Sequence, residues 1–164
     1  QINYIINCLN NNPTSSRMVL SLWNPIDLNK MALPPCHVLY IFSVELYSNP
    51  ILGKKGKLHC SLTQRSWDIL LGWNHTTAAL LTHILAKHCD YDVGSLLMSI
   101  ADVHLYECHY KDENKIKSLL SRTGRKYPKL SILDKKDKVE NYSYEDFRLE
   151  DYEPYSSIQF EMIS

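Results

Sequence analysis

The sequence predicts an α+β fold, a mixed α/β arrangement in which helices flank a mixed sheet. Strand-like and helix-like stretches follow one another without the strict alternation that indicates a purely parallel sheet. Residues 38–46 and 58–64 are apolar, of strand length, and close enough to pair as a hairpin with a long connection. Residues 76–87 carry apolar side chains on one side of a helix. With 164 residues, the chain is long enough for one domain with a core.

The first elements are short. Isoleucine and leucine recur at helical spacing over residues 2–10, which predicts an amphipathic helix. The Asn-Asn-Asn-Pro segment at 10–13 ends it, because a residue before proline avoids helical dihedrals. A strand is then predicted over 18–23 and a helical turn over 25–31, where proline stands at the first position.

The central stretch contains the main elements. Residues 47–56 are predicted as a loop because they hold Asn-Pro and two glycines. Asn74 stands just before the longest helix and is expected to be its N-cap. Gly94 is expected to mark the end of that helical region.

The C-terminal stretch mixes strand and helix signals. Residues 96–106 are predicted as a strand, 110–122 as a helix with a charged face, and 129–133 as a short strand. Residues 143–147 indicate a capped helical turn, and 148–164 an edge strand followed by a tail.

The composition is that of an ordinary globular protein. Eighteen basic residues balance eighteen acidic ones, so no global field favours nucleic acid or a membrane surface. No apolar run approaches the ~20 residues that a bilayer span needs. No signal-peptide pattern is present at the N-terminus, and the first residue is Gln1, so we expect a piece of a longer or processed chain.

Five cysteines exclude complete disulfide pairing and favour a reducing, cytoplasmic compartment. The cysteine–histidine pairs at 88–89 and 108–109 are adjacent in sequence, where side chains diverge, which argues against zinc. No metal is expected.

Cys36 is the first candidate for chemistry, since it follows Pro34 and Pro35 directly before a predicted strand. A free cysteine is most often a buried structural residue. A nucleophilic role requires a thiolate near neutral pH, and hence a nearby cation. Arg65, Arg17 and the adjacent histidine are candidates, and sequence alone does not choose among them.

Arg65 and Ser66 form a second candidate group at the end of a predicted strand. Such an arginine is usually a solvated surface residue, but an Arg-Ser pair also suits a phosphate. Asp68 follows three residues after Arg65 and could orient a water molecule or pair with a cation.

Three further residues have two interpretations each. Asn74 is a default helix cap, yet its amide offers both a donor and an acceptor to a pyrimidine edge. His104 and Tyr106 lie two apart on a predicted strand and so point to one face. They are core residues by default, or a pair that binds a sugar hydroxyl.

In their order and spacing these motifs resemble the C-terminal part of the thymidylate synthase family. The resemblance extends almost from end to end of the chain. The matching segments are Asn12-Pro13 with Ser15 and Arg17, Trp23-Asn24-Pro25, Met31 to His37, Gln64-Arg65-Ser66 with Asp68, Leu71-Gly72, Ala79 to His83, Asp102 to Tyr106 with His109, Pro128 to Leu130, Asp146-Phe147, and Tyr152-Glu153-Pro154.

The resemblance implies a bent mixed sheet that forms a homodimer interface, and one thymidylate synthase-like domain over residues 1–164 whose N-terminal part is absent. Cys36 would add to C6 of dUMP, and C5 would then attack the methylene of 5,10-methylenetetrahydrofolate, giving dTMP and dihydrofolate. It implies catalysis by Cys36, Asp68 and Asn74, and folate binding by Asp68 and Ile163. The substrate would contact Arg65, Ser66, Asp68, Asn74, His104, Tyr106 and the partner subunit's Arg17. Family members occur free-standing or joined to a dihydrofolate reductase.

The chain departs from the family pattern at several positions. Ser16 replaces one of two adjacent arginines, Trp67 replaces a small residue, and Ala101 replaces a glycine. The segment before Asn74 is shortened, and residues 45–57 are longer than usual. The rim of the pyrimidine site is therefore expected to differ from that of other members.

Three hypotheses follow from the resemblance. The first is a thymidylate synthase, and the second is a deoxyuridylate or deoxycytidylate hydroxymethylase of the same family. The third is an inactive diverged fragment that only dimerises or binds RNA. Because the family's catalytic glutamate and further phosphate-binding arginines would precede Gln1, we expect the 164-residue piece alone not to form dTMP.

Overall fold

The computed structural model describes residues 1–163 and centres on a four-stranded mixed sheet. The strands are β1 (Val19–Ser21), β2 (His37–Ile51), β3 (Lys54–Gln64), β4 (Trp67–Asp68), β5 (Asp92–Ile100), β6 (Val103–His104), β7 (Lys129–Ile132) and β8 (Phe147–Glu150). The helices are α1 (Ile2–Asn11), α2 (Asn74–His88), α3 (Glu107–Tyr110) and α4 (Glu113–Leu120), with a 3₁₀ turn at Pro25–Lys30. The central order is β1-β2-β3-β5, antiparallel except for the parallel β3–β5 pair, which confirms the mixed sheet.

One face of this sheet carries the core. Tyr40 and Phe42 of β2 and Leu58 and Leu62 of β3 point to the same side and are almost fully buried. Helices α1 and α2 cover that side, and each buried apolar side chain contributes about 1.5–3 kcal/mol. The Tyr91 hydroxyl donates to the Leu9 carbonyl at 2.7 Å, so α1 is also tied to the sheet by a buried hydrogen bond.

The prediction of a loop over residues 47–56 is wrong, because most of these residues belong to the two strands of a long hairpin. Strands β2 and β3 continue to the two-residue turn Leu52–Gly53, where both residues have positive φ, 49° and 78°. The pairing shifts between Leu46 and Ile51, and such irregular pairing accommodates a proline inside the strand.

Gly94 does not end a helix, since α2 ends at His88 with Cys89 as its C-cap, and Gly94 lies within β5. A Cβ on Gly94 would lie 2.6 Å from the ring of His59 on the neighbouring strand. The glycine therefore permits a close approach between side chain and backbone inside the sheet.

The other element boundaries are refined in the same way. Asn74 is the first residue of α2 and Trp73 occupies the cap position, so the predicted asparagine cap is wrong by one residue. The strand predicted over 96–106 is divided into β5 and β6, and the helix predicted over 110–122 into α3 and α4. The capped turn is confirmed, since Ser143 and Asp146 form a capping box.

The sheet face opposite the core, formed by the outward side chains of β2, β3 and β5, is called the open face here. It carries Ile41, 38% exposed, and Leu97, 67% exposed, which the register aligns through Ser61. Among residues 1–163, none of the buried core residues of the sheet comes from the open face. Within the same residues, no helix is both long and apolar enough to span a membrane.

Candidate active site

Cys36 lies at the start of β2, where the end of β3 holds it. The backbone N–H of Arg65 donates to the Cys36 carbonyl at 2.9 Å, continuing the ladder that pairs His37 with Gln64. The Cys36 side chain is half-buried. Cys36 is therefore not a fully buried structural cysteine. Its side chain lies at the edge of the sheet.

Arg65 is the cation that the fold brings to this loop. Its Nε donates to the Pro35 carbonyl at 3.1 Å and its Nη2 to the Pro34 carbonyl at 2.8 Å. A guanidinium has five N–H donors, so three stay available for an anionic ligand. The same side chain therefore fixes the approach to Cys36 and presents positive charge beside it.

The adjacent His37 is not a cation here. Burial lowers the pKa of His37, and its Nδ1 lies 2.6 Å from the Tyr40 hydroxyl. Burial also raises the pKa of Tyr40 to about 12, so the pair shares one hydrogen bond between neutral groups at neutral pH. Of the local candidates, Arg65 alone supplies charge to the Cys36 loop.

Gln64 is a positioning residue that the sequence interpretation missed. It is 1% exposed at the end of β3, and its Nε2 donates to the Ser66 carbonyl at 2.9 Å. Its Oε1 is buried without a partner within residues 1–163. The sequence did contain a signal for Gln64, because a polar residue stands there at a core-facing position of a strand whose other core-facing residues are apolar.

Asp68 and His104 are brought together by the small parallel pair β4–β6. Their Cα positions are partners in the register, one strand spacing apart. His104 Nδ1 lies 3.1 Å from the Asp102 carboxylate, and its ring meets the edge of Tyr106 at 5.1 Å between centroids. His104 therefore lies on the strand next to Asp68, but Tyr106 lies beyond β6 at the N-cap of α3, so the prediction that both residues share one strand is wrong.

One oxygen of Asp68 is fixed and the other is free. Oδ1 accepts from the backbone N–H groups of Leu70 at 2.8 Å and Leu71 at 3.3 Å. Oδ2 is buried and has no hydrogen-bond partner in the described part of the chain. Because a buried carboxylate oxygen is costly without a donor, this atom is suited to a ligand N–H.

Trp67 packs against the segment that leads into α2. A Cβ on Gly72 would overlap the Trp67 indole, at 1.3 Å from Nε1, so only glycine lets the chain pass. The indole also lies 5.5 Å from the ring of His75, the residue after Asn74. The large residue in β4 and the shortened turn are therefore one packing arrangement beside the pyrimidine-site candidate.

Arg17 is not brought to Cys36 within one chain. Val19 pairs with Ile41, so Arg17 lies near the level of Ser43, seven residues along β2 from Cys36. At about 3.3 Å per residue the separation is roughly 20 Å. Arg17 is exposed there.

His109 was included in the family match, but the sequence interpretation assigned it no role. It is 2% exposed, its Nε2 lies 2.7 Å from the Glu161 carbonyl, and its Nδ1 lies 3.9 Å from Asp68 Oδ2. Its position three residues after Tyr106 was a usable signal, since one helical turn brings the two rings edge to face at 5.6 Å between centroids. Ile163 follows this contact and is 40% exposed.

No cluster of three or more His, Cys, Asp or Glu side chains able to hold a metal occurs among residues 1–163. An apolar cleft of about 510 Å³ lies between α2 and the β7–β8 pair. None of the predicted site residues lines it.

Cysteine reactivity offers a direct check of this geometry. Burial raises the pKa of Cys60, and burial raises the pKa of Cys89 to about 11; Cys8 is buried as well. We expect iodoacetamide at neutral pH to modify Cys36 and the exposed Cys108 in the folded protein, with peptide mass spectrometry as the readout. Equal labelling of Cys60 or Cys89 without denaturant would contradict the described packing.

Comparison with known proteins identifies the family of the chain. The family model described as thymidylate synthase matches residues 1–164. The bifunctional dihydrofolate reductase-thymidylate synthase of Acanthamoeba polyphaga mimivirus is 52% identical over 165 residues. That alignment covers 100% of this chain and 29% of the viral protein, so the chain spans less than a third of the relative.

Proposed function

The chain belongs to the thymidylate synthase family, and from this premise we propose that the complete protein methylates dUMP reductively to dTMP. The co-substrate is 5,10-methylenetetrahydrofolate, which makes the protein a methyltransferase of nucleotide biosynthesis. The observation that carries the proposal is the double attachment of Arg65 to the Pro34–Cys36 loop. A half-exposed cysteine is held beside a cation that keeps donors free for an anion.

Cys36 is the proposed nucleophile. Its thiolate forms a bond to C6 of the uracil ring, and the electrons of the C5–C6 double bond move toward the C4 carbonyl oxygen. C5 thereby becomes nucleophilic. After substitution at C5 and loss of the C5 proton, the Cys36–C6 bond breaks and the thiolate is regenerated.

The substrate contacts follow the placement of the remaining residues. Arg65 and Ser66 bind the phosphate of dUMP, using the guanidinium donors that the Cys36 loop does not occupy. His104, on the strand beside Asp68, and Tyr106, at the start of α3 with its ring against that of His104, bind the ribose hydroxyl. Asn74, in the first turn of α2, binds the uracil edge.

The folate site is proposed around Asp68. The buried and unpartnered Oδ2 fits the N–H donors of a pterin, while Oδ1 is held by the turn that follows β4. The bound co-substrate supplies a one-carbon group and a hydride and leaves as dihydrofolate. Ile163, in the C-terminal tail beyond the His109 contact, excludes water from that side.

A homodimer completes the phosphate site in this proposal. Arg17 lies roughly 20 Å from Cys36 along its own sheet, so the partner subunit's Arg17 is the one that reaches the substrate. The open face, with Ile41 and Leu97 exposed, is the surface through which two copies pair.

The proposed reaction also suggests a partner enzyme and a cellular location. Its folate product is the substrate of a dihydrofolate reductase, and the viral relative is named as bifunctional. We therefore include fusion to, or association with, such a reductase. Five free cysteines favour a cytoplasmic location.

The second candidate is a pyrimidine hydroxymethylase, favoured by the unusual Trp67–Gly72 packing beside Asn74. Incubation of the complete protein with dUMP and 5,10-methylenetetrahydrofolate distinguishes the two, since methylation yields dihydrofolate whereas hydroxymethylation adds water and yields tetrahydrofolate. We expect dTMP and dihydrofolate in equal amounts by mass spectrometry. A hydroxymethylated nucleotide supports the second candidate. No nucleotide product from a folded protein supports the inactive, diverged alternative.

A further inference from the structure

We propose that Trp67 is a positioning residue that sets the preference of the site for uracil over cytosine. Its indole holds the segment that joins Asp68 to Asn74, residues 69–73, called the linking turn here. The inference rests on the proposed function, because the uracil edge is assigned to Asn74 there. Successive side chains of a strand point to opposite sides, so Trp67 faces away from the side that Asp68 presents. Trp67 therefore acts through the linking turn.

Hydrogen bonds fix the start of the linking turn. The N–H of Trp67 donates to the Asp102 carbonyl at 2.8 Å, and the N–H of Ile69 donates to the His104 carbonyl at 3.1 Å. The Asp68 carboxylate accepts from the two N–H groups that follow Ile69. These bonds tie β4 and the first half of the linking turn to the segment around β6.

Gly72, in the second half, is held by the indole instead. Within residues 1–163, Gly72 takes part in no backbone hydrogen bond. The helix begins directly beyond it, since the Trp73 carbonyl accepts from the N–H groups of Thr76 at 3.0 Å and Thr77 at 3.2 Å. Gly72 lies so close to the Trp67 indole that a Cβ would be 1.3 Å from Nε1. The indole is thus the contact that joins the fixed start of the turn to the start of α2.

The indole also contacts the helix directly. Its ring lies 5.5 Å from that of His75 between centroids, at an interplanar angle of 47°. One rigid side chain therefore contacts the chain on both sides of Asn74, at Gly72 before it and at His75 after it. No side-chain cap bond holds this end of α2. The indole is the nearest rigid support of Asn74.

A restrained amide is what distinguishes the two pyrimidines. Uracil presents an N3–H donor and an O4 acceptor, whereas cytosine presents an N3 acceptor and an N4 donor. An asparagine amide has both a donor and an acceptor, and a half-turn of the amide exchanges them. An amide held in one place and orientation leaves polar groups mispaired with cytosine, while a mobile amide can turn to match it. Selectivity at Asn74 therefore depends on what restrains it.

The ring of Trp67 and its N–H can be tested separately. Nε1 is buried without a hydrogen-bond partner within residues 1–163, so we assign the effect to the ring. Trp67→Phe keeps a ring against the linking turn, and Trp67→Gly removes it. Ala86→Gly is the matched control. Ala86 is 1% exposed in the last turn of α2, so its replacement weakens the same helix at the end away from Asn74.

The measurement is calorimetric binding of dUMP and of dCMP to the complete protein without folate, with circular dichroism to show that each variant is folded. We expect the wild type to bind dUMP at least about 100-fold more tightly than dCMP. Trp67→Gly should weaken dUMP binding by about tenfold and lower the preference by at least about tenfold, because the released amide can pair with cytosine. Trp67→Phe and Ala86→Gly should keep the wild-type preference.

Gly72→Ala tests the same contact from the other side. Its Cβ would displace the indole, so this variant should lose the preference as Trp67→Gly does. In the Trp67→Gly background there is no indole for the Cβ to meet, so Gly72→Ala should change the preference no further. Losses that simply add would show that the two residues act separately, and the inference would be wrong.

The remaining outcomes separate this inference from the proposed function. A folded Trp67→Gly protein with the wild-type preference, or loss of the preference in Trp67→Phe, overturns the inference and leaves the proposed function intact. If Trp67→Gly does not fold, an unchanged preference in Gly72→Ala overturns it equally. A folded wild type that binds neither nucleotide, or both equally, contradicts the assignment of Asn74 to the uracil edge, and the proposed function and this inference then fail together.

Discussion

Cys36→Ser is expected to lower the turnover of the complete protein by on the order of 10⁴-fold or more. A serine hydroxyl is a far weaker acid and a poorer nucleophile than a cysteine thiol, and Arg65, which is fixed to the Pro34 and Pro35 carbonyls, cannot compensate for that difference. Substrate binding should be almost unchanged, because the Arg65 donors remain. The measurement is dTMP formation at saturating substrate, together with dUMP binding by calorimetry.

Cys108→Ser is the matched control for this variant. Cys108 is exposed on α3 and contacts none of the proposed substrate groups, so activity should equal that of the wild type. If Cys36→Ser kept more than about a hundredth of the wild-type turnover, the covalent role of Cys36 would be wrong.

Arg65→Ala is expected to affect both stability and substrate binding. The change removes two charge-assisted hydrogen bonds to the Cys36 loop, a loss of about 2 kcal/mol in the free energy of unfolding at a half-exposed site. It also removes the proposed phosphate contact, so the KM for dUMP should rise by about 10- to 100-fold. Urea denaturation and steady-state kinetics measure the two effects separately.

Arg65→Lys should have a stability and a KM for dUMP between those of the wild type and those of Arg65→Ala. It keeps the charge but loses the planar fork that reaches two carbonyls at once. Arg148→Ala, at an exposed position in β8, is the control and should change neither quantity. An Arg65→Ala protein with wild-type stability would show that the guanidinium does not hold the loop.

Local patterns predicted the main elements well. The apolar stretches that became β2, β3 and α2 combine suitable propensity with burial on one side, so pattern and packing agree. The hairpin was missed because Asn49 and Pro50 usually indicate a loop. Here a shifted pairing accommodates them, and the turn occurs at Leu52–Gly53.

The geometry of the candidate site was predictable only in part, because it depends on contacts between residues distant in sequence. Motif order nominated Cys36, Arg65 and Asp68 as candidates, but no periodicity indicates that Arg65 bonds to Pro34, thirty-one residues earlier. His109 contacts Glu161, fifty-two residues later. Such pairs form through the packing of whole strands and a tail, and local propensity carries no information about them.

For Arg17 the motif was informative, but the position in the fold was not predictable from it. Its motif was recognisable, yet the register of β1 places it far from Cys36 in one chain. Whether a residue acts in its own subunit or in the partner is a property of assembly, which a single sequence does not encode locally.

The most direct test of the account is a covalent adduct at Cys36. The complete protein is incubated with 5-fluoro-dUMP and 5,10-methylenetetrahydrofolate, denatured, digested and analysed by peptide mass spectrometry. Because fluorine at C5 cannot leave as a proton does, the Cys36–C6 bond should persist, and one adduct per chain should map to the peptide that contains Cys36. A folded protein that forms no adduct, or that carries it on Cys108, would contradict the assignment of Cys36 as the uracil nucleophile.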